Sequence, residues 1–103
     1  MSEVTQQSDR KPFAAGRFYP ADAVELTKEL KKFFDGASIY TSEEQSLAVI
    51  SPHAGYVFSG EVAATAIAQF NPAKNHKTVF VVGSSHTKMF QGASVYSIGN
   101  YIT

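Results

Sequence analysis

The sequence predicts an α/β fold whose core is a parallel βαβ unit. Two short runs of continuous apolar residues, 47–51 and 78–83, each have the pattern of a strand buried on both faces. A helix-like segment, 60–70, lies between them, and an amphipathic segment at 22–35 precedes them. With 44% apolar and 17% charged residues, the 103-residue chain has the composition of a single globular domain.

The N-terminal part of the sequence is polar and then rich in proline and aromatic residues. Residues 1–11 are expected to form a flexible lead into a domain that spans 12–103. Residues 12–20, called the arm below, hold two prolines and three aromatic residues. Because proline disfavours helix at the residue before it, the arm should be irregular. We expect its aromatic side chains to enter a core or border a pocket; binding of a partner peptide is the alternative.

The first predicted helix, 22–35, has both ends encoded locally. Asp22 is a suitable N-cap, and Glu25 follows it at the capping-box spacing. Gly36 is a suitable C-terminal stop. Apolar residues at positions i, i+4, i+7 and i+8 form one stripe that should face the core: Leu26, Leu30, Phe33 and Phe34.

The remaining elements complete the βαβ unit. Pro52 should end the first strand, because proline cannot donate a hydrogen bond to a sheet. The second helix is predicted over 60–70 with Ser59 as its N-cap, and its alanines would allow close packing. Residues 93–97 alternate and predict a third strand. The crossover between the first two strands should be right-handed.

Charge and cysteine content restrict the classes of function. Nine basic and nine acidic residues give a net charge of zero, which argues against nucleic acid or acidic lipid as a partner. No apolar run approaches the roughly 20 residues that a membrane span needs. The absence of cysteine excludes a disulfide, a thiolate metal ligand and a cysteine nucleophile within these residues.

Two of the three histidines follow the two buried strands at matching positions. His53 lies just past the first strand, two residues after its end, and His86 lies just past the second, three residues after its end. Parallel neighbouring strands, about 4.8 Å apart, would bring both imidazoles to the carboxyl edge of the sheet, where ligand sites form. Imidazole is the commonest metal ligand and the usual general base near neutral pH. The sequence therefore predicts a metal or substrate site at His53 and His86, with ordinary polar loop residues as the alternative.

Further residues are assigned to the same pocket. Tyr56 would line it or else cover the start of the helix, and Ser59 is a better N-cap than nucleophile. Ser85, beside His86, is also placed there. No carboxylate neighbours either histidine, and two ligands fall short of the about three or four that protein metal sites use. The glycine-bounded start of the second helix could bind an anion. His76 precedes the second strand and receives no role.

Three motifs in order resemble the MEMO family. Residues 51–60, SPHAGYVFSG, are similar to its P-H-A-G-Y-x-Y/F-S-G signature. Residues 10–20, RKPFAAGRFYP, resemble its opening segment. Residues 82–86, VGSSH, resemble its G-P-S-H motif, with Ser84 where the family usually has proline. The resemblance covers about residues 10–100, and it identifies the chain as an N-terminal portion of a MEMO-like protein.

The resemblance implies more than composition does. Family members, including the AmmeMemoRadiSam system protein B group, are cytoplasmic α/β proteins whose fold is like that of class III extradiol dioxygenases. It implies a divalent metal, iron or copper, held in part by His53 and His86, with a third ligand beyond Thr103. It further implies metal-dependent oxidoreductase chemistry of unknown substrate, on a truncated form of this fold.

Two alternatives come from other functional classes. The first is a signalling module whose pocket binds a phosphotyrosine or another anionic peptide, in keeping with the eukaryotic members of the family. The second is an incomplete domain with no activity of its own, which self-associates through an unpaired sheet edge. A small-molecule ligand for the same pocket also remains open.

Overall fold

The computed structural model describes residues 8–40, 46–70 and 77–103. Within them the chain forms two helices of 13 residues each, α1 (Ala23–Asp35) and α2 (Tyr56–Ala68). The described residues fall into two compact units. One comprises 8–13 and 77–103, and the other comprises 14–40 and 46–70. Neither helix has the length and apolar character needed to cross a membrane.

Helix α1 confirms the prediction made from local capping signals. The Asp22 side chain accepts a hydrogen bond from the backbone N–H of Glu25 at 2.9 Å. At the other end, the N–H of Gly36 donates to the carbonyl of Lys32 at 3.2 Å. Because both ends are satisfied within a few residues, the helix follows from its own sequence.

Helix α2 begins earlier than predicted, and the assignment of Ser59 as its N-cap is wrong. Gly55 is the N-cap, and its carbonyl accepts from the N–H groups of Phe58 and Ser59 at 2.9 and 3.1 Å. The N–H of Tyr56 donates to the carbonyl of Phe18 in the arm, at 2.8 Å. A carbonyl from a distant part of the chain thus satisfies one of the orphan donors of the first turn.

The two helices pack closely because α2 presents small residues. Ser59, Gly60 and Ala64 are its buried residues. A methyl group at Gly60 would lie 2.6 Å from Cε2 of Phe33, so only glycine leaves room for that ring. The small residues that were expected to allow close packing therefore lie against α1 within the described residues.

The predicted strands are not paired in the described residues. The β-interactions there are two isolated parallel bridges, Arg10 with Tyr101 and Ala15 with Tyr19. Within the part of the chain that the structure describes, residues 47–51 and 78–83 lack a hydrogen-bonded partner strand, and most of their apolar side chains are exposed, to 99% at Ile50 and 92% at Val81. The parallel βαβ unit remains a prediction.

In the unit made of residues 8–13 and 77–103, Arg10 connects the N-terminal segment to residues 96–102. The N–H of Arg10 donates to the carbonyl of Asn100 at 2.7 Å, and the N–H of Ile102 donates to the carbonyl of Arg10 at 2.9 Å. The guanidinium lies 5.3 Å from the ring centre of Tyr96 and 5.4 Å from that of Tyr101. The last residues of the predicted flexible lead are thus bonded to residues 96–102; residues 1–7 lie outside the described part.

Replacing Asp22 should show how strongly α1 depends on its cap. Asp22→Ala is expected to lower the free energy of unfolding by about 1 kcal/mol, because the N–H of Glu25 loses its acceptor. Urea unfolding followed by far-ultraviolet circular dichroism measures the change. Asp22→Ser keeps an acceptor and should restore most of the stability; equal losses in both variants would contradict the capping role.

Candidate functional site

The unit that contains both helices has a partly open cavity of about 310 Å³. Its walls come from the arm, α1, the turn at 51–54 and α2: Ala14, Phe18, Tyr19, Leu30, Phe33, Phe34, Ser51, Pro52, His53, Ala54, Tyr56, Ser59, Gly60, Ala63, Ala64 and Ile67. Most of these side chains are apolar or aromatic. A concave, mainly apolar pocket with a few polar groups is the usual form of a small-ligand site.

A tight turn in the arm positions two aromatic residues at the cavity. The carbonyl of Ala14 accepts from the N–H groups of Arg17 and Phe18 at 3.0 and 2.9 Å. Gly16 has φ of +80°, a conformation that favours glycine, and its N–H donates to the carbonyl of Tyr19 at 2.7 Å. The expectation that aromatic residues border a pocket is confirmed for Phe18 and Tyr19, whereas Phe13 is 81% exposed and does not line the cavity.

Tyr56, which the sequence assigns to the pocket, lies where the arm, α1 and α2 meet. Its ring centre is 5.3 Å from that of Tyr19, at a tilt of 32°, and 6.3 Å from that of Phe33, edge to face. Burial raises the pKa of the Tyr56 hydroxyl, with smaller contributions from Tyr19 and from the carboxylate of Glu29. The phenol therefore stays protonated, as a neutral hydrogen-bonding group, throughout the physiological range.

Ser59 lines the cavity, but its hydroxyl is already engaged. The hydroxyl donates to the carbonyl of Ala54 at 3.0 Å and lies 3.5 Å from that of Gly55. The residue is 8% exposed. A buried hydroxyl that is bonded to the turn before its own helix fixes that turn and is not poised as a nucleophile.

His53 lies in this turn and is both a wall residue of the cavity and exposed to solvent. It therefore occupies the rim. The turn is held on its helical side by the hydrogen bond from Tyr56 to Phe18 and by the bond from Ser59 to Ala54. A short segment anchored in this way limits the positions that the imidazole can reach.

His86 and Ser85 belong to the other unit, and both are exposed. The hydroxyl of Ser85 donates to the carbonyl of Lys88 and accepts from the N–H of Lys88 at 3.3 Å, which closes a small turn around His86. Of the predicted pocket residues, the structure brings Tyr56 and Ser59 together with His53, and Ser85 has a local structural role.

The described residues do not form a complete metal site. No group of three or more histidine, cysteine, aspartate or glutamate side chains is arranged to hold an ion in the part of the chain that the structure describes. Imidazoles suit iron, copper and zinc, so the donor type fits a transition metal. The number of donors does not, because His53 and His86 alone fall short of the usual ligand count.

Sequence reasoning missed the contribution of α1 to the cavity. Leu30, Phe33 and Phe34 were predicted as a core stripe, and all three line the cavity. Two sequence patterns could have indicated this contribution: the small residues of α2 and the bulky apolar stripe of α1. Each pattern indicates that its helix packs closely against something, but neither identifies the partner element.

The cavity walls, the turn that holds His53 and the arm lie within residues whose family is identified by comparison with known proteins. A family model described as Memo-like protein matches residues 10–103, and the chain belongs to this family. It is 36% identical to a MEMO1 family protein of Thermococcus onnurineus over 94 residues, 91% of the chain and 32% of the relative.

Other relatives agree with this assignment. The chain is 42% identical to a MEMO1 family protein of Methanococcoides burtonii and 44% identical to one of Methanosarcina barkeri, each over 78 residues. These alignments cover 76% of the chain and 28% of each relative. The chain thus spans about a third of the length of the curated relatives, or less. No solved structure shows significant similarity to it.

The raised pKa of Tyr56 predicts a loss of stability at alkaline pH. Since the folded pKa lies above the unfolded value of about 10, the stabilisation is complete below that value and is lost as pH rises through the folded pKa. Unfolding free energies measured from about pH 8 to about pH 11 should fall less steeply in Tyr56→Phe than in the parent protein.

Tyr40→Phe is the matched control for this measurement, because Tyr40 is 73% exposed. It should leave the alkaline slope as in the parent. If Tyr56→Phe and Tyr40→Phe gave the same slope, the cavity would not be the cause of the shift.

Proposed function

We propose that this chain supplies two ligands, His53 and His86, to a divalent metal site in a Memo-like protein. The observation that carries the proposal is the position of His53, on an anchored turn at the rim of a partly open apolar cavity. His86 is included on sequence grounds, because its motif lies within the residues that the family model matches. The remaining ligands would come from outside the described residues.

Family resemblance suggests iron or copper as the metal and the cytoplasm as the compartment. When bound, such an ion would supply redox chemistry of the kind that non-haem iron dioxygenases use, although a shared fold does not define the reaction. The residues of this chain would hold the ion at the cavity rim and present an apolar pocket beside it. The apolar wall would cover one side of a ligand placed there.

A metal titration tests whether the two imidazoles bind one ion. With Zn²⁺ as a diamagnetic probe, the ring proton signals of His53 and His86 should respond with the same half-saturation in nuclear magnetic resonance spectra. Substituting His53→Ala should remove the response of His86, because one ion needs both donors.

His76→Ala is the matched control, since His76 has no predicted role. It should leave the paired response intact. Different half-saturations for His53 and His86, or a response of either that survives loss of the other, would contradict a shared site.

An anionic-peptide module is a second candidate function. In its favour, the imidazole of His53 lies at the rim of an aromatic-lined pocket, and a ring N–H can donate a hydrogen bond to an anion. Against it, no lysine or arginine belongs to the lining among the described residues, and phosphate recognition usually relies on arginine clusters. The N–H of Tyr56, at the start of α2, is also already bonded to Phe18.

Self-association is a third candidate, and the exposed apolar runs favour it. Val79, Phe80, Val81 and Val82 are each more than two-thirds exposed, and their sequence has the composition of a buried strand. Unpaired apolar segments of this kind are templates for pairing with a second chain. A chain held in this way would have a structural role without an activity of its own.

A charge introduced at Val81 should weaken such association. Sedimentation velocity at increasing concentrations should detect oligomers of the parent chain, and Val81→Lys should shift them to monomers because a lysine on the strand resists pairing. Gln91→Lys, at another exposed position of the same unit, adds the same charge and should leave the oligomers unchanged. A monomeric parent chain would contradict the candidate.

A further inference from the structure

We propose that the cavity between the arm, α1 and α2 binds a small uncharged compound with one or two aromatic rings. The inference deepens the proposed function, on which it rests for the place of His53, by naming the class of ligand that would lie beside the metal. It is carried by the ring geometry of the walls, the size of the cavity and the state of its polar groups.

The walls offer both faces and edges of aromatic rings. The ring centres of Tyr19 and Tyr56 are 5.3 Å apart with a tilt of 32° between the planes, and Phe33 meets Tyr56 edge to face. Offset stacking and edge-to-face contact are the two arrangements that aromatic pairs prefer. A planar ring entering the cavity could make contacts of the same kind with these side chains.

The size of the cavity fits one or two rings. Engineered apolar cavities of about 150 Å³ in another protein bind benzene. The cavity here, about 310 Å³, is roughly twice that volume. It could therefore hold a fused two-ring compound such as indole, and it is at the lower end of the range for drug-sized ligands.

The polar groups of the wall favour a ligand without charge. The hydroxyl of Ser59 is bonded to the carbonyl of Ala54, and the N–H of Tyr56 is bonded to Phe18. The Tyr56 phenol is neutral, and the described lining contains no lysine, arginine, aspartate or glutamate. A charged ligand would lose its hydration here without an opposite charge in the walls to replace it.

Indole is a suitable probe, because the chain contains no tryptophan and indole fluorescence reports the ligand alone. In the presence of a chelator, indole should bind the parent chain, with shifts in the methyl signals of Ala63 and Ala64 but not of Ala68. Ala63→Leu, which fills the cavity, should weaken binding by about tenfold or more. Ala68→Leu, on the same helix but outside the cavity, is the matched control.

Four comparisons decide the outcome. Phenol should bind more tightly than phenyl phosphate; the reverse order would overturn the proposal and favour the anionic-ligand candidate. The affinities of indole and of a short uncharged tryptophan peptide are then compared. Tighter binding of indole supports a free compound as the ligand, and tighter binding of the peptide indicates a protein side chain instead. Shifts that avoid Ala63 and Ala64 would overturn the proposal even if Ala63→Leu did not fold. If indole did not bind while His53 and His86 still responded together to Zn²⁺, the ring proposal would be contradicted and the metal proposal would not. If indole bound while the paired histidine response was missing, the metal proposal would be contradicted and the ring proposal would not.

Discussion

The hydrogen bond from the N–H of Tyr56 to the carbonyl of Phe18 determines the arrangement of the helical unit. It satisfies a donor in the first turn of α2, so the helix can begin directly after Gly55 without a side-chain cap. It also holds the arm against the helix, which brings Tyr19 to the ring of Tyr56. One backbone contact between distant parts of the chain thus sets the start of α2 and one wall of the cavity.

The second constraint is the absence of a side chain at Gly60. Because Phe33 occupies the space that a methyl group would need, α1 and α2 approach closely at this point. The same ring then reaches the edge of Tyr56 and forms a further wall of the cavity. Packing and site formation therefore depend on the same contact, and a change designed to stabilise α2 at Gly60 would also disturb the pocket.

Features that depend on neighbouring residues could be predicted from the sequence, and features that depend on distant ones could not. Asp22 and Gly36 define α1 through contacts within a few residues, and that helix is as predicted. The start of α2 was placed wrongly because the carbonyl of Phe18 satisfies the N–H of Tyr56 in its first turn, and no local pattern records that contact. Strand pairing is likewise non-local, so the apolar runs at 47–51 and 78–83 indicate a tendency without specifying a partner. For the site, the motif identified His53 and Tyr56, whereas the α1 wall required knowledge of which helices pack together.

The cavity and a metal site at the histidines require different things from the chain. The cavity requires apolar packing, whereas a metal site requires a sufficient number of donor atoms. Among the described residues, the walls of the cavity come from residues 14–67 and are held by apolar contact and backbone hydrogen bonds. A metal site needs further donors, which the described residues do not bring together. The contacts that form the pocket therefore do not depend on a complete ligand set, because apolar packing does not require a metal. His53 takes part in the pocket through the turn before α2, which holds it at the rim.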